Sequence, residues 1–229
     1  MTVEDNIDPT AICQDITIQL DASGNASIST SDIDNGSADN CGIDNISLDI
    51  TTFDCTNVGP NTVTLTVTDE NGNTDQCTAT VTVEDNIDPT AICQDITIQL
   101  DASGNASIST SDIDNGSADN CGIDNISLDI TTFDCTNVGP NTVTLTVTDE
   151  NGNTDQCTAT VTVEDNIDPT AICQDITIQL DASGNASIST SDIDNGSADN
   201  CGIDNISLDI TTFDCTNVGP KHRDPYRHR

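Results

Sequence analysis

Carboxylates and side-chain amides recur in this chain at spacings that suit a hard cation. Glu84, Asp85, Asn86 and Asp88 form one set. Asp149, Asn151, Asn153 and Asp155 form a second, in which alternate side chains can converge. Asp112, Asp114, Asn115, Asp119 and Asn120 supply a third. The sets also stand 80 residues earlier, as Glu4, Asp5 and Asp8, as Asp34 and Asp39, and as Asp69, Asn71, Asn73 and Asp75. The first returns once more as Glu164, Asp165 and Asp168. Calcium takes six to eight oxygen ligands of this kind, so calcium is the expected cofactor. Each stretch alone is also an ordinary turn, with Asn-Gly at the centre of a hairpin. The charge balance favours the cation: the formal net charge is −36, and every Lys, Arg and His lies in the last nine residues. The repeated text cannot form one basic salt bridge, and its self-repulsion opposes compaction. Nucleic acid and anionic membrane are poor partners for such a surface.

Cysteine is the second chemistry. Each complete copy holds four: Cys13, Cys41, Cys55 and Cys77, then Cys93, Cys121, Cys135 and Cys157. No CxxC pair or nearby His accompanies them, so they read as disulfides in an oxidising, extracellular setting rather than as a zinc site. Four cysteines allow three pairings, and a link across the junction of two copies, such as Cys77–Cys93, is a further alternative.

Catalysis is not expected. The repeats contain no His, Lys, Arg or Tyr. A hydroxyl nucleophile would have only a carboxylate as base, and an oxyanion no cationic partner. One Phe per copy (Phe53, Phe133, Phe213) cannot line a sugar-binding cleft for a carboxylate pair. Lys–Asn isopeptide cross-links are excluded for want of Lys. The sequons at Asn25, Asn35 and Asn45 read as plain turn residues.

These residues are carried by a repeat. Residues 1–80 and 81–160 are identical except that Met1 stands where Val81 does, and 161–220 begins the same text again. The expected domains are 1–83, 84–163 and a truncated 164–220, with a tail at 221–229. Ile12, Ile16, Ile18 and Leu20 share one phase of a strand over Ala11–Leu20. Asp21–Asn25 is a turn, Ala26–Thr30 a short strand, and Ser31–Asn45 a long polar loop. Ile46, Leu48 and Ile50 alternate as a third strand, and Phe53–Asn61 crosses over. Val63, Leu65 and Val67, then Cys77, Ala79, Val81 and Val83, are the strands of an Asn-Gly hairpin. The fold class is all-β: tandem immunoglobulin-like antiparallel β-sandwiches with an 80-residue period. That topology would bring the entering seam, Val83–Pro89, against the long loop and the hairpin of its own copy.

The seam Val-Glu-Asp-Asn-Ile-Asp-Pro-Thr-Ala, Cys13, the step Asp39-Asn40-Cys41-Gly42, the run Val63–Asn73 and Cys77 together resemble hyalin-repeat (HYR) domains. The arrays most similar are those of giant surface adhesins of gliding bacteria. The resemblance covers each full copy. It implies an extracellular immunoglobulin-like module for adhesion or fibre building on the bacterial cell surface, exported by a dedicated secretion system. It implies the pairing Cys13–Cys77, and so Cys93–Cys157, which leaves Cys41–Cys55, Cys121–Cys135 and Cys201–Cys215 by exclusion. Cys173 is then unpaired. On the chain-entropy model the two loops contribute about 4 and about 3 kcal/mol. The acidic seam is also broadly similar to the calcium linkers of cadherins.

Both ends carry their own expectation. Met1 fits a start codon read at a Val position. After Pro220 the text Lys-His-Arg-Asp-Pro-Tyr-Arg-His-Arg replaces Asn-Thr-Val-Thr-Leu-Thr-Val-Thr-Asp. One inserted A before AAC ACC GTG ACC CTT ACC GTC ACC GA converts the second into the first, so residues 221–229 read as a frameshift of the repeat. The expected role is a structural segment of a long extracellular fibre or adhesin stalk, its neighbouring repeats head to tail and self-associating into fibres. A binding module that grips extracellular polysaccharide is the alternative.

Overall fold

The computed structural model describes Met1 and residues 3–219; the tail at 221–229 lies outside the described residues. By its contacts the chain makes two compact units. Among the described residues, one holds 1–96, 109–130 and 142–160, and the other holds 97–108, 131–141 and 161–219.

The first copy shows how the text folds. Its strands are β1 (Ile16–Gln19), β2 (Asn25–Ser27), β3 (Ile43–Leu48), β4 (Thr52–Asp54), β5 (Gly59–Asp69) and β6 (Thr74–Glu84), with a single helical turn α1 (Thr30–Ile33) after β2. The longest pair, β5 and β6, is dictated by alternation. Val63, Leu65 and Val67 on one strand, and Val81 and Val83 on the other, are fully or almost fully buried, while the threonines between them point outward. Asp69 closes the hairpin by accepting the N–H groups of Asn71 (2.9 Å) and Asn73 (2.7 Å).

The sheet order is β1-β6-β5-β3, with β1 parallel to β6 (Ile16 opposite Val81) and the other pairs antiparallel. β2 and β4 make a second, two-stranded sheet in which Ala26 faces Phe53. Leu20, Ile28, Ile33 and Phe53 close over the inner face of the large sheet as one core cluster. This is an immunoglobulin-like sandwich, and the fold class is as expected. Fully burying a Val, Leu, Ile or Phe contributes about 1.5–3 kcal/mol, so a core with one aromatic is thin and gains from cross-links.

Three local readings are corrected. Only Ile16–Gln19 of the expected strand Ala11–Leu20 is a strand, because its first half meets the loop through bridges Thr10–Ala38 and Cys13–Asp34 instead. The expected loop at 31–45 opens inside α1 and ends inside β3, and α1 drives Ile33 into the core at 0 % exposure. Asp32 makes that turn by accepting the Ser29 N–H at 2.7 Å. Phe53 lies on β4 rather than in a crossover.

The second copy repeats this arrangement as β7 (Ile96–Gln99), β8 (Asn105–Ser107), α2 (Thr110–Ile113), β9 (Ile123–Leu128), β10 (Thr132–Asp134), β11 (Gly139–Asp149) and β12 (Thr154–Glu164). The third copy has, among the described residues, β13 (Asn185–Ser187), α3 (Thr190–Ile193), β14 (Thr212–Asp214) and a 3-10 turn at Cys215–Asn217. Among the described residues no strand pairs with residues 176–179, and Ile176 is 38 % exposed.

Candidate functional site

Three aspartates from distant parts of the text meet in the second copy. Asp85 comes directly after β6, Asp119 sits in the loop before β9, and Asp149 ends β11. One ligand oxygen from each lies within 4.8 Å of the others. Asp85 is 5 % exposed and Asp149 1 %.

Amides frame the cluster. Asn120 Nδ2 donates to Asp85 Oδ1 (3.2 Å), and Asn151 Nδ2 donates to Asp85 Oδ2 (3.0 Å). Asn153 Nδ2 reaches the Asp85 carbonyl (3.1 Å) and Asp149 Oδ2 (2.8 Å). Asp149 Oδ1 accepts the N–H groups of Asn151 and Asn153, at 2.9 and 2.7 Å. Asp119 Oδ2 accepts the Cys121 N–H at 2.7 Å. Its other oxygen, and Asn120 Oδ1, are buried without a hydrogen-bond partner. Two carboxylates 4–5 Å apart repel by roughly 3–4 kcal/mol at an effective dielectric of 20. The repeats offer no basic side chain to relieve this. The donor set is hard oxygen throughout, two of its buried oxygens lack donors, and the Asn amides can turn to present Oδ1. The residues therefore fit a calcium ion.

In the first copy the same geometry is looser. Asp5, Asp39 and Cys41 come together, and Asn40 and Asn71 each donate to Asp5 Oδ2 at 3.2 Å. The Cys41 thiol hydrogen bond holds Asp5 below the usual carboxylate range, and Asp5 pushes the thiol up in turn. Burial pushes Asp69 up, but hydrogen bonds from the Asn73 amide and from the N–H groups of Asn73, Asn71 and Gly72 together outweigh it and leave it lowered.

The remaining candidate ligands do other work. Glu84 accepts from Gln19 (2.7 Å) and Asn86 donates to Gln19 (2.6 Å); Glu164 accepts from Gln99 in the same way. Asp34 and Asp114 cap their loops on the N–H groups of Ser37 and Ser117, both at 3.0 Å. Asp75 and Asp155 accept the N–H groups of Ala11 and Ala91, both at 2.9 Å. Glu4, Asp8, Asp88 and Asp168 are exposed and outside the clusters. Asp165 keeps one partner of the set, Asn200, at 3.0 Å.

The disulfides divide into two kinds. Cys13–Cys77 and Cys93–Cys157 each tie the start of a copy to its sixth strand. The expected pairings Cys41–Cys55, Cys121–Cys135 and Cys201–Cys215 do not form. Cys55 bonds Cys121 instead, and Cys135 bonds Cys201, so each joins one copy to the next. The reason is distance. Cys41 lies at the hairpin end of the sandwich, beside Asp5, and Cys55 lies at the opposite end, over the Gly24 carbonyl at 3.7 Å. The 11-residue strand β5 runs between those ends, roughly 30 Å at a strand rise of about 3.3 Å per residue. Cys41, Cys173 and Cys215 are free and exposed.

Gly24 is the residue that sequence reasoning passed over. It adopts φ +72°, and a Cβ there would stand 2.6 Å from Cys55 Sγ and 3.0 Å from the Asn120 carbonyl. Only its place in the turn Asp21–Asn25 marked it in the sequence.

No protein-family model matches the chain, and no curated protein matches it. Solved structures resemble it at low identity. The extracellular cadherin domains 1–5 of protocadherin gamma B2 align at 15 % identity and TM-score 0.36, over 81 % of this chain and 46 % of that one. Domains EC1–2 of human protocadherin-24 align at 12 % and 0.39, over 71 % and 100 %. The fibronectin(III)-like modules of Clostridium thermocellum CbhA align at 9 % and 0.27, over 69 % and 93 %. The chain spans about half the length of the protocadherin gamma B2 domains, 46 %. No helix among the described residues is long and apolar enough to cross a membrane. The molecule is a disulfide-bonded tandem array of immunoglobulin-like sandwiches.

Proposed function

We propose that this chain is a structural segment of a long extracellular fibre or adhesin stalk on a bacterial cell surface, made rigid at each seam by calcium. The observation that carries this reading is Asp85, buried at the junction of two strand systems with Asp119 and Asp149 and no counter-charge in the repeat. A bound cation offsets that repulsion and fixes the seam to the loop and hairpin of the copy it enters. Disulfides that run from copy to copy serve the same end, since they resist bending and extension at the joint. Near-identical copies with one Phe each suit a spacer better than a surface that grips polysaccharide, which would use stacked aromatic rings. Enzymatic activity forms no part of this reading.

Calorimetry of the chain in low salt, with calcium or with chelator, tests it. A cation present at about 100 times its Kd would add about 2.7 kcal/mol to the copy that binds it. The melting temperature is expected to rise with calcium, and Asp149→Asn to remove most of that rise. An unchanged melting temperature with chelator in low salt would overturn the calcium reading.

A further inference from the structure

The bonds Cys55–Cys121 and Cys135–Cys201 are two examples of one joint, with a socket on one copy and a plug on the next. The socket is the turn at Asp21–Gly24 together with Cys55. Cys55 Sγ rests 3.7 Å from the Gly24 carbonyl and 3.5 Å from the Asn120 carbonyl. The plug is Asn120–Cys121, held out by the Asp119 carboxylate on the Cys121 N–H and by Asn120 Nδ2 on Asp85 and on the Asp21 carbonyl (3.4 Å).

The described chain carries one further half of each kind. At Cys41 the plug is already set: Asp39 Oδ2 accepts the Cys41 N–H at 2.6 Å, and Asn40 Nδ2 donates to Asp5 at 3.2 Å. At Cys215 the socket is already set: its Sγ lies 3.8 Å from the Gly184 carbonyl. Among the described residues a Cβ on Gly184 would meet only that sulfur, at 2.7 Å, whereas at Gly104 it would meet Cys135 Sγ (2.6 Å) and the Asn200 carbonyl (2.9 Å) of a filled joint. Both thiols are exposed.

We propose that these halves are complementary, and that two copies of this chain couple tail to head through a disulfide from Cys215 of one copy to Cys41 of the other. The oxidant is a low-molecular-weight disulfide. Cys215 Sγ attacks it and expels one small thiolate, which takes the Cys215 proton. Cys41 Sγ then displaces the second small thiolate from Cys215, and that leaving group takes the Cys41 proton. Two protein thiols become one disulfide, and one small disulfide becomes two thiols. Asn40 of the second copy then faces the Asp181–Gly184 turn as Asn120 faces Asp21–Gly24.

The test is oxidation of the full chain carrying Cys173→Ser with glutathione disulfide, then non-reducing electrophoresis and peptide mapping. A ladder of multimers is expected, with a Cys41–Cys215 peptide and the four internal bonds intact. With Cys41→Ser or Cys215→Ser added, each variant alone is expected to lose the ladder, and an equimolar mixture of the two to give one heterodimer. A ladder that survives both substitutions together would overturn the proposal. So would like-with-like dimers as abundant as the heterodimer, or monomers alone with all four internal bonds formed.

Discussion

The seam at Val83–Pro89 and the seam at Val163–Pro169 consist of the same seven residues in different company. Asp85 is 5 % exposed, with Asp119 and Asp149 beside it and Asn120, Asn151 and Asn153 donating to it. Asp165 is half-buried and accepts from Asn200. Pro89 is buried and Pro169 exposed. The difference arises downstream, beyond Pro140 in one copy and Pro220 in the other. The first continues into a hairpin that brings Asp149 and its two asparagines to the seam, and the second continues into unrelated text. A seam is therefore only half a site. The rest comes from a loop whose Asn120 lies 35 residues on from Asp85 and a hairpin whose Asn151 lies 66 residues on, and a cation would read the completeness of the copy it binds.

Completing the third copy gives the largest expected change. Replacing residues 221–229 with the text of residues 141–164 supplies what forms β11 and β12 in the second copy, including the equivalents of Val81–Glu84 that pair with Ile16–Gln19 in the first. Residues 176–179 are then expected to join a sheet, Cys173 to gain a partner equivalent to Cys77, and Asp165 to bury as Asp85 does. Hydrogen exchange would show new protection at 176–179, and titration calorimetry one additional calcium per chain. Unchanged calcium stoichiometry in a folded variant would separate the hairpin from the site. The converse break is Cys13→Ser with Cys77→Ser in the first copy. Loss of a loop closed over a separation of 64 residues costs about 4 kcal/mol on the chain-entropy model. For a domain of this size that lowers the melting temperature of the first copy by roughly 15–30 °C. The third copy, which lacks this bond, gives the reference.

The alternation of Val63, Leu65 and Val67 against Ala79, Val81 and Val83 made the main hairpin legible, because the side-chain period of a half-buried strand is written into the residues. The meeting of seam, loop and hairpin could be read from topology, and so could the neighbours of Asp85. Ile33 was not legible: one apolar residue among Ser, Asp and Asn has no period, and only the capping of α1 by Asp32 turns it inward. Phe53 hid for the same reason, on a strand of three residues. The pairing of Cys55 could not be read from spacing, since the separation of 66 to Cys121 is close to the 64 of Cys13–Cys77. What decides it is which end of the sandwich each sulfur occupies. The acidic residues were legible as a class but not by role, because a carboxylate that caps a loop, such as Asp34, and one that meets two others, such as Asp119, look alike in the text.

Glycine separates a filled joint from an open one. Gly24 and Gly184 both adopt positive φ, +72° and +79°, so alanine costs about 1–2 kcal/mol of backbone strain at either. At Gly24 the new methyl also meets a bonded sulfur and the Asn120 carbonyl, which can move only by shifting the next copy. At Gly184 it meets Cys215, whose sulfur can rotate away. Gly24→Ala is expected to exceed Gly184→Ala by roughly 1–3 kcal/mol, the usual cost of overpacking. Chemical denaturation of each variant measures the difference, and reduction of the disulfides should narrow it.

Acid gives the smallest effect and applies only to complete copies. Asp75 and Asp155 lie below the usual carboxylate range because each accepts a backbone N–H, from Ala11 and Ala91 respectively. A carboxylate whose folded pKa is depressed contributes stability that is present above its unfolded value, about 3.9, and is lost as pH falls through the folded value. The segment just before Cys13 and just before Cys93 should therefore loosen as pH falls below about 4 and through the lowered folded values. The step belongs to the two copies that carry these aspartates. Asp75→Asn keeps an acceptor for the Ala11 N–H without the titration. Amide exchange at Ala11, measured through an acid titration, should lose its pH-dependent step in that variant while Ala91 retains its own.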